Sequence, residues 1–334
     1  MKLPAIPRTR LMIHLPHQTE ISPFKLMTNW RHQRLYRRAI QTACGKFYRD
    51  ADNLTSNSVM IAGTARSGTT WLADIIASQR PCRIMFEPFH SQLVSGFGAF
   101  HYFQYMRPTE ANPELLSYCH RIFTGDIRHR WIDRQVEHLF PQYRLIKEIR
   151  ANLFLKWLKD MFPEVPLLFI LRHPCAVVAS RLQLGWATDT DIESFLSQPD
   201  LVEDFLSTKL DIIHRAETAA EKHAVIWCIH NLVPLKQFNP TELNVVFYEE
   251  LCLQPELEIP RMFGLINQTF DQAIYQRLSV PSITSSPNRP SGIDRWKQDL
   301  TFKEIEEVLR IVEAFGLGDL YGSSSKPMTR SIRS

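Results

Sequence analysis

The segment Gly63-Thr64-Ala65-Arg66-Ser67-Gly68-Thr69-Thr70 carries the densest chemistry in this 334-residue chain. Two glycines with four residues between them let a backbone wrap an anion, and the amides at the start of a following helix point into it. The apolar run Val59-Met60-Ile61-Ala62 precedes the loop, and Trp71, Leu72, Ile75 and Ile76 share one helical face after it. Strand, glycine loop and helix form the skeleton of a nucleotide phosphate loop. The lysine that reaches the β- and γ-phosphates in such loops is here Thr69. A magnesium-dependent triphosphate site also needs a carboxylate at the end of a second strand. The apolar run 167–171 ends instead in Arg172-His173-Pro174. An arginine there repels a metal and attracts an anion, so triphosphate chemistry is disfavoured and no metal is expected. Taken alone, Arg172 reads equally well as half of an interior ion pair, and Ser180 as an ordinary helical serine.

The elements that must position these groups follow from the same grammar. Strands are expected at 143–149, 166–171 and 243–247, with helices at 153–161, 175–184 and near 255–265. Alternating strands and helices predict an α/β fold, a parallel sheet flanked by helices on both faces. Ligands in such sheets sit beyond the carboxyl ends of the strands. Residues 90–140 and 185–225, richer in aromatics, are expected to cap that mouth. Residues 30–48, with Trp30, Leu35, Ile40 and Phe47 among arginines, read as an amphipathic helix.

The chain is 44% hydrophobic and 22% charged, as expected of a globular enzyme. Its six cysteines lie far apart, with no CxxC, and read as reduced thiols. The net charge of +4 hides an asymmetry: residues 1–50 carry ten Lys/Arg against Glu20 and Asp50, a balance of +8, which leaves −4 for the rest. This predicts a basic N-terminal arm and helix over 1–50, one domain over 51–325, and a tail over 326–334. The arm reads as solvated or as a peripheral contact for an anionic surface; no nucleic-acid partner is expected. The first thirty residues lack an apolar core, Pro4, Pro7 and Pro16 interrupt them, and no stretch nears the roughly 18 apolar residues of a membrane helix. A cytoplasmic location is therefore the expectation.

Taken together, the motifs resemble a family. Arg66-Ser67-Gly68-Thr69-Thr70-Trp71-Leu72 resembles the 5′-phosphosulfate loop of sulfotransferases that use 3′-phosphoadenosine 5′-phosphosulfate (PAPS). The stretch Ile170-Leu171-Arg172-His173-Pro174-Cys175-Ala176-Val177-Val178-Ala179-Ser180-Arg181 resembles their 3′-phosphate motif. Arg289-Pro290-Ser291-Gly292-Ile293-Asp294-Arg295-Trp296-Lys297 resembles the segment that closes over the nucleotide, and order and spacing agree over residues 57–320. The resemblance, nearest to carbohydrate-type and bacterial members, implies a P-loop-like sulfotransferase fold with PAPS as donor. It implies that Arg66 to Trp71 hold the phosphosulfate end. Arg172 and Ser180 would then hold the 3′-phosphate, Trp71 and Tyr248 the adenine, and Ser291 and Gly292 the lid.

Sulfuryl transfer is an in-line displacement that needs a cation at the leaving oxygen and a base for the acceptor proton. Many small-molecule cytosolic relatives supply both from a Lys-Thr-His segment. Here the equivalent place reads Leu145-Ile146-Lys147-Glu148-Ile149, so the cation persists as Lys147 while Ile149 fills the histidine position. Phe86-Glu87-Pro88-Phe89 resembles the Phe-Glu-Pro segment of carbohydrate sulfotransferases, which implies Glu87 as the base. Its apolar neighbours are expected to raise its pKa. His90 stands in reserve, and Glu148, expected to pair with Arg150 or Lys147, is a weaker candidate. The expected acceptor is a hydroxyl or amine of a sugar, polyol or secondary metabolite. The competing readings are a P-loop kinase or NTPase, opposed by Thr69, and a non-catalytic anion- or polysaccharide-binding protein acting through residues 1–50.

Overall fold

The structure, a computed structural model, describes residues 30–280 and 292–328, with side chains from residue 37 onward. The chain divides into two compact units, Met1–Ile40 and Gln41–Ser334. The described residues of the first, 30–40, are helical and begin α1 (Trp30–Phe47). The second unit carries the sheet and every described residue of the site.

Five parallel strands lie in the order β2-β3-β1-β4-β5: β1 (Ser58–Gly63), β2 (Cys82–Phe86), β3 (Tyr143–Lys147), β4 (Leu167–Leu171) and β5 (Val245–Phe247). All are buried on both faces, and side chains alternate between two apolar layers. Met60, Ala62, Phe169 and Leu171 face one layer; Val59, Ile61, Leu168 and Ile170 face the other. α2 (Thr69–Ala77) buries Leu72, Ile75 and Ile76 in the second layer, whereas α5 (Pro174–Leu182) buries Val177 and Val178 in the first. In between lie α3 (Pro113–Phe123) and α4 (Leu155–Met161). The loops leaving neighbouring strands β1 and β4 thus diverge to opposite faces and open a crevice at the carboxyl end of the sheet.

Strand β2 was not expected from the sequence, because Cys-Arg-Ile-Met-Phe breaks the apolar pattern with an arginine. Arg83 is nonetheless 0% exposed. Its guanidinium donates to Asp50 (2.8 Å), Asp133 (3.0 Å) and the Gly125 carbonyl (2.8 Å), and lies 4.5 Å from the Tyr48 ring. Strand β3 ends at Lys147, short of the expected 149, because Glu148 turns to cap the loop that follows. The first turn of the expected helix 153–161 is a 3-10 turn over Asn152–Phe154, continued by α4. All six cysteines are free thiols, five of them buried.

The register decides the site. Phe86 pairs with Lys147, Ile61 with Lys147, Gly63 with Ile170, and Leu171 with Phe247. The strands therefore finish nearly level, and the next residue of β2, β1, β4 and β5 is Glu87, Thr64, Arg172 and Tyr248 in turn.

Candidate active site

The loop after β1 needs its two glycines for separate reasons. A Cβ on Gly63 would lie 2.6 Å from the Ile170 carbonyl oxygen, so glycine lets β1 and β4 close. Gly68 sits at φ 97°, and a Cβ there would meet the Tyr248 ring at 2.7 Å. Gly68 caps α2, so the amides of the first turn face the crevice. Two arginines converge beside them. Arg66 donates from Nε to Ser180 Oγ at 2.9 Å, and Arg172 donates from Nη1 to the Arg66 carbonyl at 3.0 Å. Burial first, and then the charge of Arg172, hold Arg66 below its ordinary pKa. Arg172 lies 4.3 Å from the Tyr248 ring, and its Nε is buried with no hydrogen-bond partner, as is Ser67 Oγ. Tyr248 in turn sits 5.2 Å from Trp71. The expected nucleotide residues are therefore brought together, with Thr69 and Thr70 buried in the first turn of α2. Ser291 lies outside the described residues. Gly292 is exposed, and the segment after it is anchored by Trp296, stacked on His173 at 4.4 Å and donating to Ser325.

At the other end of the crevice, Glu87 follows β2 with its amide donating to the Lys147 carbonyl at 2.8 Å. Its backbone sits at φ 46°, a left-handed conformation uncommon for a residue that also precedes a proline. The carboxylate, 5% exposed, accepts from Lys147 Nζ on one oxygen and from Arg150 Nη1 at 2.5 Å on the other. The expected upward shift is overturned here. Burial does push Glu87 up, but Lys147 and Arg150 outweigh it and hold the carboxyl at about 2. Glu148 does not pair with either cation's side chain. It is 0% exposed and accepts the amides of Phe89 (3.0 Å), Ile149 (2.7 Å) and Arg150 (2.8 Å), tying the loop after β2 to the loop after β3. His90 is buried against Trp131 and Tyr102 with Nδ1 unpartnered, and burial lowers it to about 4, so its ring is neutral. Among the described residues no group of three or more His, Cys, Asp or Glu could hold a metal ion.

A family model described as the sulfotransferase family matches residues 58–272, from the start of β1 past the helix Pro255–Leu265. The chain belongs to the sulfotransferase family. Nodulation protein NoeE of Sinorhizobium fredii (strain NBRC 101917 / NGR234) is 26% identical over 278 residues; the match covers 76% of this chain but 63% of that relative's length. Among solved structures, the sulfotransferase domain of the Synechococcus PCC 7002 olefin synthase is 16% identical, with a TM-score of 0.43 over 80% of this chain and 96% of that one. A mouse sulfotransferase complexed with PAP is 13% identical, with a TM-score of 0.41 over 84% and 90%.

Three residues in contact with this candidate site escaped the sequence reading: Arg150, Arg181 and His230. Arg150 had been assigned to Glu148, its near neighbour, rather than to a carboxylate 63 positions away. Arg181 follows the serine of the 3′-phosphate motif, yet its Nη2 donates to Thr64 Oγ1 at 2.8 Å. His230 meets the same hydroxyl at 3.2 Å from 166 positions away. Only the spacing of Arg181 next to Ser180 on α5 could have hinted at it, since adjacent helical residues point about 100° apart.

Proposed function

We propose that this sulfotransferase moves a sulfuryl group from PAPS to a hydroxyl or amine of a sugar, polyol or secondary metabolite. The observation that carries the reading is the pair Arg66 and Arg172 at the β1–β4 crevice, two cations beside buried, unpartnered donors at Ser67 Oγ and Arg172 Nε. Such donors suit phosphate and sulfonate oxygens, and a guanidinium suits a bidentate phosphate contact. In this reading Arg172 and Ser180 hold the 3′-phosphate, the amides of residues 67–71 hold the phosphosulfate, and Trp71 and Tyr248 flank the adenine.

Lys147 would neutralise the bridging oxygen as it leaves, and Glu87 would take the acceptor proton. The contact between them couples the two tasks. While Lys147 sits on Glu87 the carboxylate is a weak base; a Lys147 drawn toward the donor leaves Glu87 with Arg150 alone, and its basicity rises as the reaction needs it.

Calorimetry with adenosine 3′,5′-bisphosphate (PAP) and 5′-AMP tests the donor. PAP should bind at least about thirtyfold more tightly, the worth of a charged phosphate contact of about 2 kcal/mol. Arg172→Ala should abolish that preference while the variant still melts cooperatively. Equal affinities in the parent would overturn the assignment.

A further inference from the structure

The peptide that joins Arg172 to His173 is gripped from both sides. Its carbonyl accepts the Trp227 indole N–H at 3.1 Å, and its N–H donates to Glu249 Oε1 at 2.9 Å. Trp227 comes from the long helix Ala219–Gln237 and Glu249 from the short helix Tyr248–Leu253 that follows β5. A planar peptide held at both of its polar atoms cannot turn about the chain. The direction in which the Arg172 side chain leaves the backbone is therefore set. The far end of that side chain is held in turn by the Arg66 carbonyl at 3.0 Å.

Glu249 is an expensive residue for this place. It is 1% exposed, yet its described donors are both neutral: the His173 amide, and the Tyr321 hydroxyl, which donates to Oε2 at 2.8 Å. A carboxylate costs more to bury than a leucine, and the cost persists only where an acceptor is needed. The two donors lie 76 and 72 positions away in the sequence. One carboxylate thus joins the loop after β4, the helix after β5 and the C-terminal segment. His173 repeats the link. Its Nε2 meets the Gly322 carbonyl at 2.9 Å, and its ring stacks on Trp296 at 4.4 Å and stands edge-on to Tyr321 at 5.0 Å. Trp296 donates to Ser325, which donates to Asp294 at 2.7 Å. His173 and Glu249 each directly follow a residue proposed to touch the nucleotide, Arg172 and Tyr248.

We propose that Glu249, braced by Tyr321, is a positioning residue that sets the orientation of Arg172 and with it the preference for a nucleotide bearing a 3′-phosphate. The inference rests on the donor reading above and deepens it. An arginine selects a phosphate by direction as well as by charge, since its planar fork must meet two oxygens at once. Freeing the peptide behind Arg172 leaves the charge in the crevice but loses the direction. The loss then falls on the 3′-phosphate and spares the rest of the nucleotide. What the site needs from Glu249 is the acceptor, not the charge, so a glutamine should serve in its place.

The test is calorimetry on the full chain with PAP and 5′-AMP, read as the ratio of the two affinities. Glu249→Ala should lower the parental ratio at least about tenfold, a loss typical of a displaced binding group. Glu249→Gln should hold the ratio within about threefold of the parent, because its amide oxygen still accepts the His173 N–H. Arg172→Ala supplies the deciding background. Adding Glu249→Ala to it should change PAP affinity by less than about twofold, since nothing is left to position. If Glu249→Ala does not fold, Tyr321→Phe takes its place and should lower the ratio about threefold or more. A variant that melts at a lower temperature with its ratio unchanged would show that Glu249 serves stability alone, and would overturn the proposal. Equal losses for both nucleotides, or a further large loss in the Arg172→Ala background, would overturn it as well. A parent that binds PAP and 5′-AMP equally fails the donor reading first, before any Glu249 variant is made, and this inference falls with it.

Discussion

Burial alone would leave Glu87 protonated over much of the acid range, and two cations reverse that. A buried ion triad is sensitive to removal of any member, since the others are left uncompensated. Glu87→Gln should therefore lower the denaturant midpoint and, if the residue is the base, lower kcat by roughly 10²–10⁴-fold in a labelled-PAPS assay. PAP affinity should stay level or rise, because Lys147 and Arg150 lose their internal anion. Lys147→Ala should be slow as well, but with a different signature. Removing one cation raises the Glu87 pKa, so the ascending limb of the pH–rate profile should move to higher pH. His90→Asn is the control: an inactive His90→Asn beside a near-parental Glu87→Gln would transfer the base role to His90.

At the scale of elements, the strand ends do the positioning, and the closest approach is between β1 and β4. Gly63→Ala would put a methyl against the Ile170 carbonyl, backbone that cannot rotate aside. The substitution should cost about 1–3 kcal/mol in a urea melt and weaken PAP binding measured by calorimetry, because Thr64 and Arg172 follow the two strands directly. Loss of stability without loss of PAP affinity would separate the glycine from the site. The parallel sheet was legible in the sequence because β1, β4 and β5 are uninterrupted apolar runs flanked by helical periodicity. Edge strand β2 was not, since its buried Arg83 depends on Asp50 and Asp133, which local pattern does not see. The residues proposed to hold the nucleotide could be picked out because they cluster in two short motifs, each on a strand–loop–helix. Glu87 and Lys147 were found through family likeness, but their ion pair and its effect on the carboxyl arise from strand register. Arg150, Arg181 and His230 take their partners from distant segments, and nothing local marks them.

Across the whole molecule, four buried histidines set the response to acid. His90, His173 and His223 are each held at about 4 by burial, and His230 lies well below its ordinary value. Unfolded histidines titrate near 6.5, so below that pH the unfolded chain binds protons that the native chain refuses. The stabilisation is fully present above about pH 6.5 and is lost as pH falls toward 4. Burial raises Glu148, Glu249, Asp133 and Asp191, which work in the opposite direction by taking up protons in the native state. At the upper end of the window the histidines set the sign, because the unfolded rings begin to titrate first. Each contributes a slope of up to about 1.4 kcal/mol per pH unit, large against a total stability of roughly 5–15 kcal/mol. Urea midpoints should therefore change little from pH 7.5 to about 6.5 and fall progressively from there to pH 5.5. His223→Phe should flatten that slope by about one proton's worth while leaving the neutral-pH midpoint level or higher. A midpoint that holds constant down to pH 5.5 would mean that these rings reach solvent and are not held neutral by the fold.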